Sequence, residues 1–134
     1  NISLFSYWNI WVAGSVFCTS DRRLKNIFKP IDPDNAMNLL NVTAQWYNWK
    51  KDPNGQPQLG LIAQDLLREN LNGLTSLFEN NDVEEDDTEF DLKSKTQLVV
   101  TYDKIPLYLL EIIKNLNNRV KDLEKKMIIS NNIS

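Results

Sequence analysis

The sequence contains no histidine. That absence removes a Ser-His-Asp triad, a Cys-His dyad and every histidine-based metal site from the chain. The single cysteine, Cys18, excludes an internal disulfide and a cysteine-rich zinc site. Basic clusters are lacking too. The net charge is -3, and eight acids (Glu79, Asp82, Glu84, Glu85, Asp86, Asp87, Glu89 and Asp91) stand together with no base among them. The 15 bases set against the other 10 acids leave an excess of +5, but it is scattered, so the footprint of a nucleic-acid binder is missing. Long apolar runs are also absent. Phe5 to Phe17 is interrupted by Ser6, Asn9, Gly14 and Ser15, too broken for a membrane span. No basic stretch precedes it, which argues against a signal peptide. Nothing in the composition calls for a cofactor or a metal.

What is present divides into a head, a body and a tail. Residues 1–19 are rich in Trp, Phe, Tyr, Ile and Val, and the alternation at Val16 and Cys18 reads as the last strand of an upstream β-rich body. Alone, such a segment would expose large aromatics, so it is expected to pair with other chains. An ordinary first strand of the domain is the alternative. Asp32-Pro33 is a good helix start, with Asp as N-cap and Pro at the first helical position. That helix is expected to reach about Leu40 and to bury Ala36, Met37, Leu39 and Leu40. Val42 to Lys50 is rich in β-formers, and Asp52-Pro53-Asn54-Gly55 is a turn signal. A hairpin returning through Gln58 to Ile62 follows from these. Gly60 to Asp65 then leads into a short helix at Leu66, Leu67 and Arg68.

Leu71 to Phe78 is apolar enough for a strand, and Thr96 to Tyr102 is β-branched enough to close a second hairpin with it. The acids at 79–91 lie between them. Like charges at that density favour an extended, solvated loop, and they lack the glycine-punctuated spacing of a calcium loop. From Ile105 the period becomes helical. Leu109, Ile113, Leu116, Val120, Leu123 and Met127 recur at spacings of 4, 3, 4, 3 and 4. This is a heptad seam with Leu at d and Ile, Val and Met at a. Arg119 and Glu124 fall at g and the following e, where they can pair between parallel chains. The seam is expected to widen near Leu110 and Ile112, where the helix meets the core. Isolated zippers of this pattern favour dimers. An amphipathic helix packed on its own domain is the other reading. The helix is placed at about 105–129, with a frayed tail at 130–134.

Ser20 to Lys25 (SDRRLK) carries the candidate chemistry. A serine hydroxyl needs a base within hydrogen-bond reach, and a chain without histidine can offer Lys, Asp, Glu or a terminal amine, Ser-Lys pairs being an established variant. An ordinary lysine is protonated at pH 7 and becomes a base only through burial or neighbouring cations. Arg22 and Arg23 stand beside Lys25, and Leu24, Ile27 and Phe28 could build a dry pocket. An extended chain cannot bring Ser20 and Lys25 together across five residues, but a tight turn can. Ser20 would then face the carbonyl of Thr19, and attack there is intramolecular, so no substrate pocket is needed. On spacing alone, a helix N-cap and a solvated surface lysine are the commoner fates of these residues.

The sequence resembles the intramolecular chaperone auto-processing family found at the C-terminus of phage endosialidase tailspikes and tail fibres, and in the myelin regulatory factor. The carriers are Ser20-Asp21-Arg22-Arg23-Leu24-Lys25, Gly60-Leu61-Ile62-Ala63-Gln64-Asp65, and Val100-Thr101-Tyr102 with Ile105-Pro106 and Leu109-Leu110-Glu111-Ile112-Ile113-Lys114. The resemblance covers about residues 19–127. It implies an α+β fold: a small globular domain with β-hairpins and short helices, ending in a long helix that forms a parallel trimeric coiled coil. It implies a homotrimer that templates an N-terminal passenger of the same polypeptide and then cuts itself off. The nucleophile falls on Ser20, the dyad lysine on Lys25 and the cut between Thr19 and Ser20. Asp21, Arg23 and Gln64 match family positions and are taken as supports of the site. The hairpins at 42–62 and 74–102 are candidate arms that embrace the passenger.

The domain is thus placed at 20–129, with 1–19 as the end of the passenger. No cofactor, nucleic acid or membrane is implied for it. A viral source would place it in the host-cell cytoplasm during assembly, with the cleaved domain absent from the mature particle. Two rival readings remain. One is a trimerising module that does not cleave. The other is the processing domain of a membrane-bound transcription factor resembling the myelin regulatory factor.

Overall fold

The computed structural model describes residues 4–6 and 8–133. Contacts divide the chain into Asn1–Pro30 and Ile31–Ser134. In the first unit the described residues form one regular element, a 3-10 turn at Arg22–Leu24. In the single chain the residues around Val16 and Cys18 form no strand; the pairing expected of them is with other chains. A strand's N–H and C=O groups need a neighbouring strand, and this stretch pairs with none in the single chain. Residues 1–3 and 7 of the expected passenger segment lie outside the described residues. Trp8, Trp11, Phe17 and Phe28 are almost fully exposed.

The second unit begins as the sequence dictates. Helix α1 is Pro33–Met37, with Asp32 as N-cap accepting from the Asp34 N–H at 3.0 Å. It continues as a 3-10 turn, Asn38–Asn41. Ala36 and Leu39 are buried and Met37 packs against the core, but Leu40 is 59% exposed. The tighter 3-10 winding moves Leu40 off the apolar face. Strands β1 (Gln45–Tyr47) and β2 (Gln58–Gly60) pair antiparallel, with Trp46 opposite Leu59. The turn between them is held by Gly55 N–H donating to the Asp52 carbonyl at 3.0 Å.

Helix α2 (Ala63–Arg68) ends on Asn70, whose φ of 58° is left-handed. The N–H of Leu71 donates to the Leu66 carbonyl and that of Asn70 to the Leu67 carbonyl, which is the Schellman pattern. Leu66 and Leu71, the apolar pair this motif brings together, are both fully buried. Asn35 and Asn38 reach across from α1 and its extension, donating to the carbonyls of Asn70 and Glu69. They satisfy orphan acceptors at the end of α2.

The strand expected from Leu71 starts later. Leu71 to Leu74 turns through a 3-10 segment that drops both leucines into the core, and β3 is Thr75–Glu79. It pairs antiparallel with β4 (Thr96–Val100), from Thr75 opposite Val100 to Glu79 opposite Thr96. The acidic connection is folded rather than merely solvated. Asp87 and Leu92 form a β-bridge, Asp86 accepts from the Ser94 N–H at 2.6 Å, and Asp87 accepts from the Glu89 N–H at 3.1 Å. Short carboxylate side chains reach backbone donors two to eight residues away, which offsets the mutual repulsion of the run.

Helix α3 is Ile105–Ile133, four residues longer than the heptads suggest. No glycine or proline follows Pro106, so nothing in the sequence stops it at 129. Ser134 lies outside the described residues. One stripe, Ile105, Tyr108 and Ile112, packs on the core with Ala36, Leu39, Leu66, Leu71 and Leu74. Leu110 is 49% exposed and is not part of the meeting point; Tyr108 takes that place. The chain is therefore α+β, with two small antiparallel sheets and a long C-terminal helix.

Candidate functional site

The turn at Arg22–Leu24 brings the two candidate residues together. Leu24 N–H donates to the Asp21 carbonyl at 3.1 Å and Lys25 N–H to the Arg22 carbonyl at 3.2 Å. These two bonds reverse the chain, and Lys25 Nζ lies 2.5 Å from Ser20 Oγ, donating to it. Both side chains are exposed. In the contact as it stands, Lys25 Nζ is the donor and the Ser20 hydroxyl the acceptor. Catalysis needs the reverse, a neutral amine accepting the serine proton.

Asp21 and Arg23 brace the same turn. Asp21 is its N-cap, accepting the Arg23 N–H at 2.9 Å. Its carboxylate also takes the guanidinium in a fork, Nε to Oδ1 at 3.1 Å and Nη2 to Oδ2 at 2.6 Å. The Arg23 side chain beside Asp21, helped by its backbone N–H, holds the carboxyl below the usual carboxylate range, and Arg23 is correspondingly raised.

Gln64 lies in the second unit. Its amide donates to Asp87 Oδ2 at 3.1 Å, at the base of the acidic connection. Next to it Arg68 binds Glu89 at 3.0 Å and Asp65 at 2.8 Å, and these carboxylates, Glu89 foremost, hold the guanidinium raised. Gln64 and Arg68 thus fasten the acidic connection to α2. Nothing in the spacing of GLIAQD announced this, because the partners are 21 and 23 residues away.

The motif's glycine has its own partner. A Cβ on Gly60 would fall 2.6 Å from the phenol oxygen of Tyr102, and that oxygen accepts the Leu61 N–H at 2.8 Å. Only glycine leaves room for Tyr102 to approach. Gly73 stands in the same relation to the Tyr108 hydroxyl.

The heptad residues occupy a second stripe of α3. Leu109 and Leu116 are 42% exposed and Met127 is 65% exposed, with Ile113, Val120 and Leu123 between. The stripe is apolar and continuous, and the described residues leave it from two-fifths to two-thirds exposed.

Residues 20–70 match the family described as chaperone of endosialidase. The matched stretch opens on Ser20, and contains the Ser20–Lys25 turn, α1, the first hairpin and α2. The name of that family is a peptidase's. No curated protein matches the chain. No helix among the described residues is long and apolar enough to cross a membrane. No group of three or more metal-ligating side chains occurs among them.

Proposed function

We propose that this chain is an intramolecular chaperone that assembles as a homotrimer, assists the folding of an N-terminal passenger and releases itself by cutting between Thr19 and Ser20. The observation that carries the reading is the 2.5 Å approach of Lys25 Nζ to Ser20 Oγ at the start of the stretch matching the chaperone family.

The chemistry balances within the chain. Neutral Lys25 takes the proton of Ser20 Oγ, and Oγ attacks the Thr19 carbonyl carbon. The Thr19–Ser20 C–N bond breaks, and Lys25 returns the proton to the departing Ser20 nitrogen. The product is an ester of Thr19 on Ser20 Oγ. Water then hydrolyses it to a Thr19 carboxylate and the free serine hydroxyl. High effective molarity replaces substrate binding, and each chain reacts once.

Assembly is supported by the uncovered stripe on α3. Six apolar side chains at heptad spacing would form the seam of a parallel coiled coil, and the choice of three strands rests on the family resemblance rather than on the heptads. Three α3 helices would bury that seam at about 25 cal/mol per Å² of apolar surface. The aromatic residues at 4–17 are the end of the passenger. Their partners would be the same segment of the other chains.

A non-cleaving trimerisation module is the second reading. The exposure of Ser20 and Lys25 favours it, because the single chain supplies none of the burial that turns a lysine into a base. Mass spectrometry of the purified chain and of Ser20→Ala separates the two. The proposal expects a fragment beginning at Ser20 from the wild type and an intact variant. Wild type that stays whole while trimeric would leave the second reading standing.

A further inference from the structure

We propose that Asp21 and Arg23 are positioning residues for the Ser20–Lys25 pair, their side-chain clamp holding closed the turn that sets Lys25 on Ser20. The inference rests on the self-cleavage reading and adds the device that keeps its two reacting groups in register.

Among the described residues, the turn's other support is two backbone hydrogen bonds and the Lys25–Ser20 contact itself. The turn is three residues long and buries none of them. One turn of 3-10 helix has poor hydrogen-bond geometry, and a first turn costs more conformational freedom than its bond returns. Local side-chain bonds must therefore hold it. Asp21 Oδ1 receives the backbone N–H and the Nε of Arg23, and Oδ2 receives Nη2 at 2.6 Å. One carboxylate thus ties the N-cap of the turn to both the backbone and the side chain of its middle residue. The planar guanidinium fits this fork, and a lysine ammonium does not. The pairing also matches Arg23's charge with that of Asp21. Arg23 then acts through geometry rather than as a free cation beside Lys25.

The test is the rate at which the fragment beginning at Ser20 appears, measured across a pH series. The proteins are wild type, Asp21→Ala, Arg23→Ala, the double variant, Asp21→Asn and Arg23→Lys, with Ser20→Ala and Lys25→Met as controls. Sedimentation reports the oligomer in each. Loss of a cap and its clamp is expected to slow cleavage about tenfold in Asp21→Ala and Arg23→Ala. The double variant should be no slower than the slower single, because the two side chains act as one unit. Asp21→Asn keeps the cap and should recover part of the rate, whereas Arg23→Lys should not. The oligomer and the midpoint of the pH–rate profile should not move.

Single variants that cut at the wild-type rate would overturn the proposal. So would a double variant as slow as the product of the singles, a displaced pH midpoint or a lost oligomer. Cleavage that persists in Ser20→Ala or Lys25→Met, or is absent from wild type, would instead bring down the self-cleavage reading, and the clamp with it.

Discussion

The Leu61 N–H donates to the phenol oxygen of Tyr102 at 2.8 Å, joining residues 41 apart in the chain. The bond closes the exit of the first hairpin onto the segment that leads from β4 into α3. Gly60 makes it possible by having no side chain. Gly60→Ala should therefore destabilise the second unit by about 1–3 kcal/mol through overpacking. Tyr102→Phe should cost about 1 kcal/mol for the lost hydrogen bond. Combined, they should cost less than their sum, because removing the hydroxyl makes room for the methyl. Thermal unfolding of the four proteins checks this, and strict additivity would count against the contact.

Lys25→Met should abolish the cut at Thr19–Ser20 and leave the oligomer as it is. Methionine keeps the length of the side chain without a proton-accepting nitrogen. A gel for cleavage and sedimentation for assembly read the two effects separately. A variant that still cuts would remove Lys25 from the chemistry.

An aspartate at Leu116 or Val120 should weaken the trimer by several kcal/mol, since it puts an unpaired charge into the proposed seam. Cleavage should fall with assembly if burial of the turn in the trimer makes Lys25 a base. A variant that is monomeric yet cuts at the wild-type rate would separate the two.

The Asp21 carboxyl should titrate below the ordinary value near ~3.9. A depressed folded value means the clamp contributes fully above ~3.9 and is lost as the pH falls through the lower folded value. It is therefore complete at neutral pH. Carbon-detected NMR titration of Asp21 should show the midpoint rising in Arg23→Ala. High salt should raise it too, because the pair is exposed.

Shortening the acidic connection between Asp82 and Glu89 should lower the melting temperature and spare the oligomer. The cut removes the Gln64–Asp87 and Arg68–Glu89 attachments to α2. Arg68→Ala alone should lower the melting temperature only slightly, as both partners are half exposed and solvent screens the pair. Sedimentation and thermal melts distinguish the two effects.

Much of this molecule is local and was therefore legible. Asp32-Pro33 starts α1 because cap and ring geometry need only adjacent residues. Asp52 to Gly55 makes a turn for the same reason, and α3 follows from a period that any window reveals. The Ser20–Lys25 contact also depends on a six-residue stretch, in which Asp21 caps its own turn. What the sequence could not announce depends on distance along the chain. Leu71 and Leu74 read as strand because both are apolar. They became core because Asn70 turns left-handed and drops them beneath α3. The acids at 79–91 read as a solvated run because their partners, Gln64 and Arg68, sit on another element. Tyr102 read as the end of a strand, yet its hydroxyl closes on Gly60 and Leu61. In each case local propensity was right about the residue and silent about its partner, because long-range contacts form only once the elements have packed.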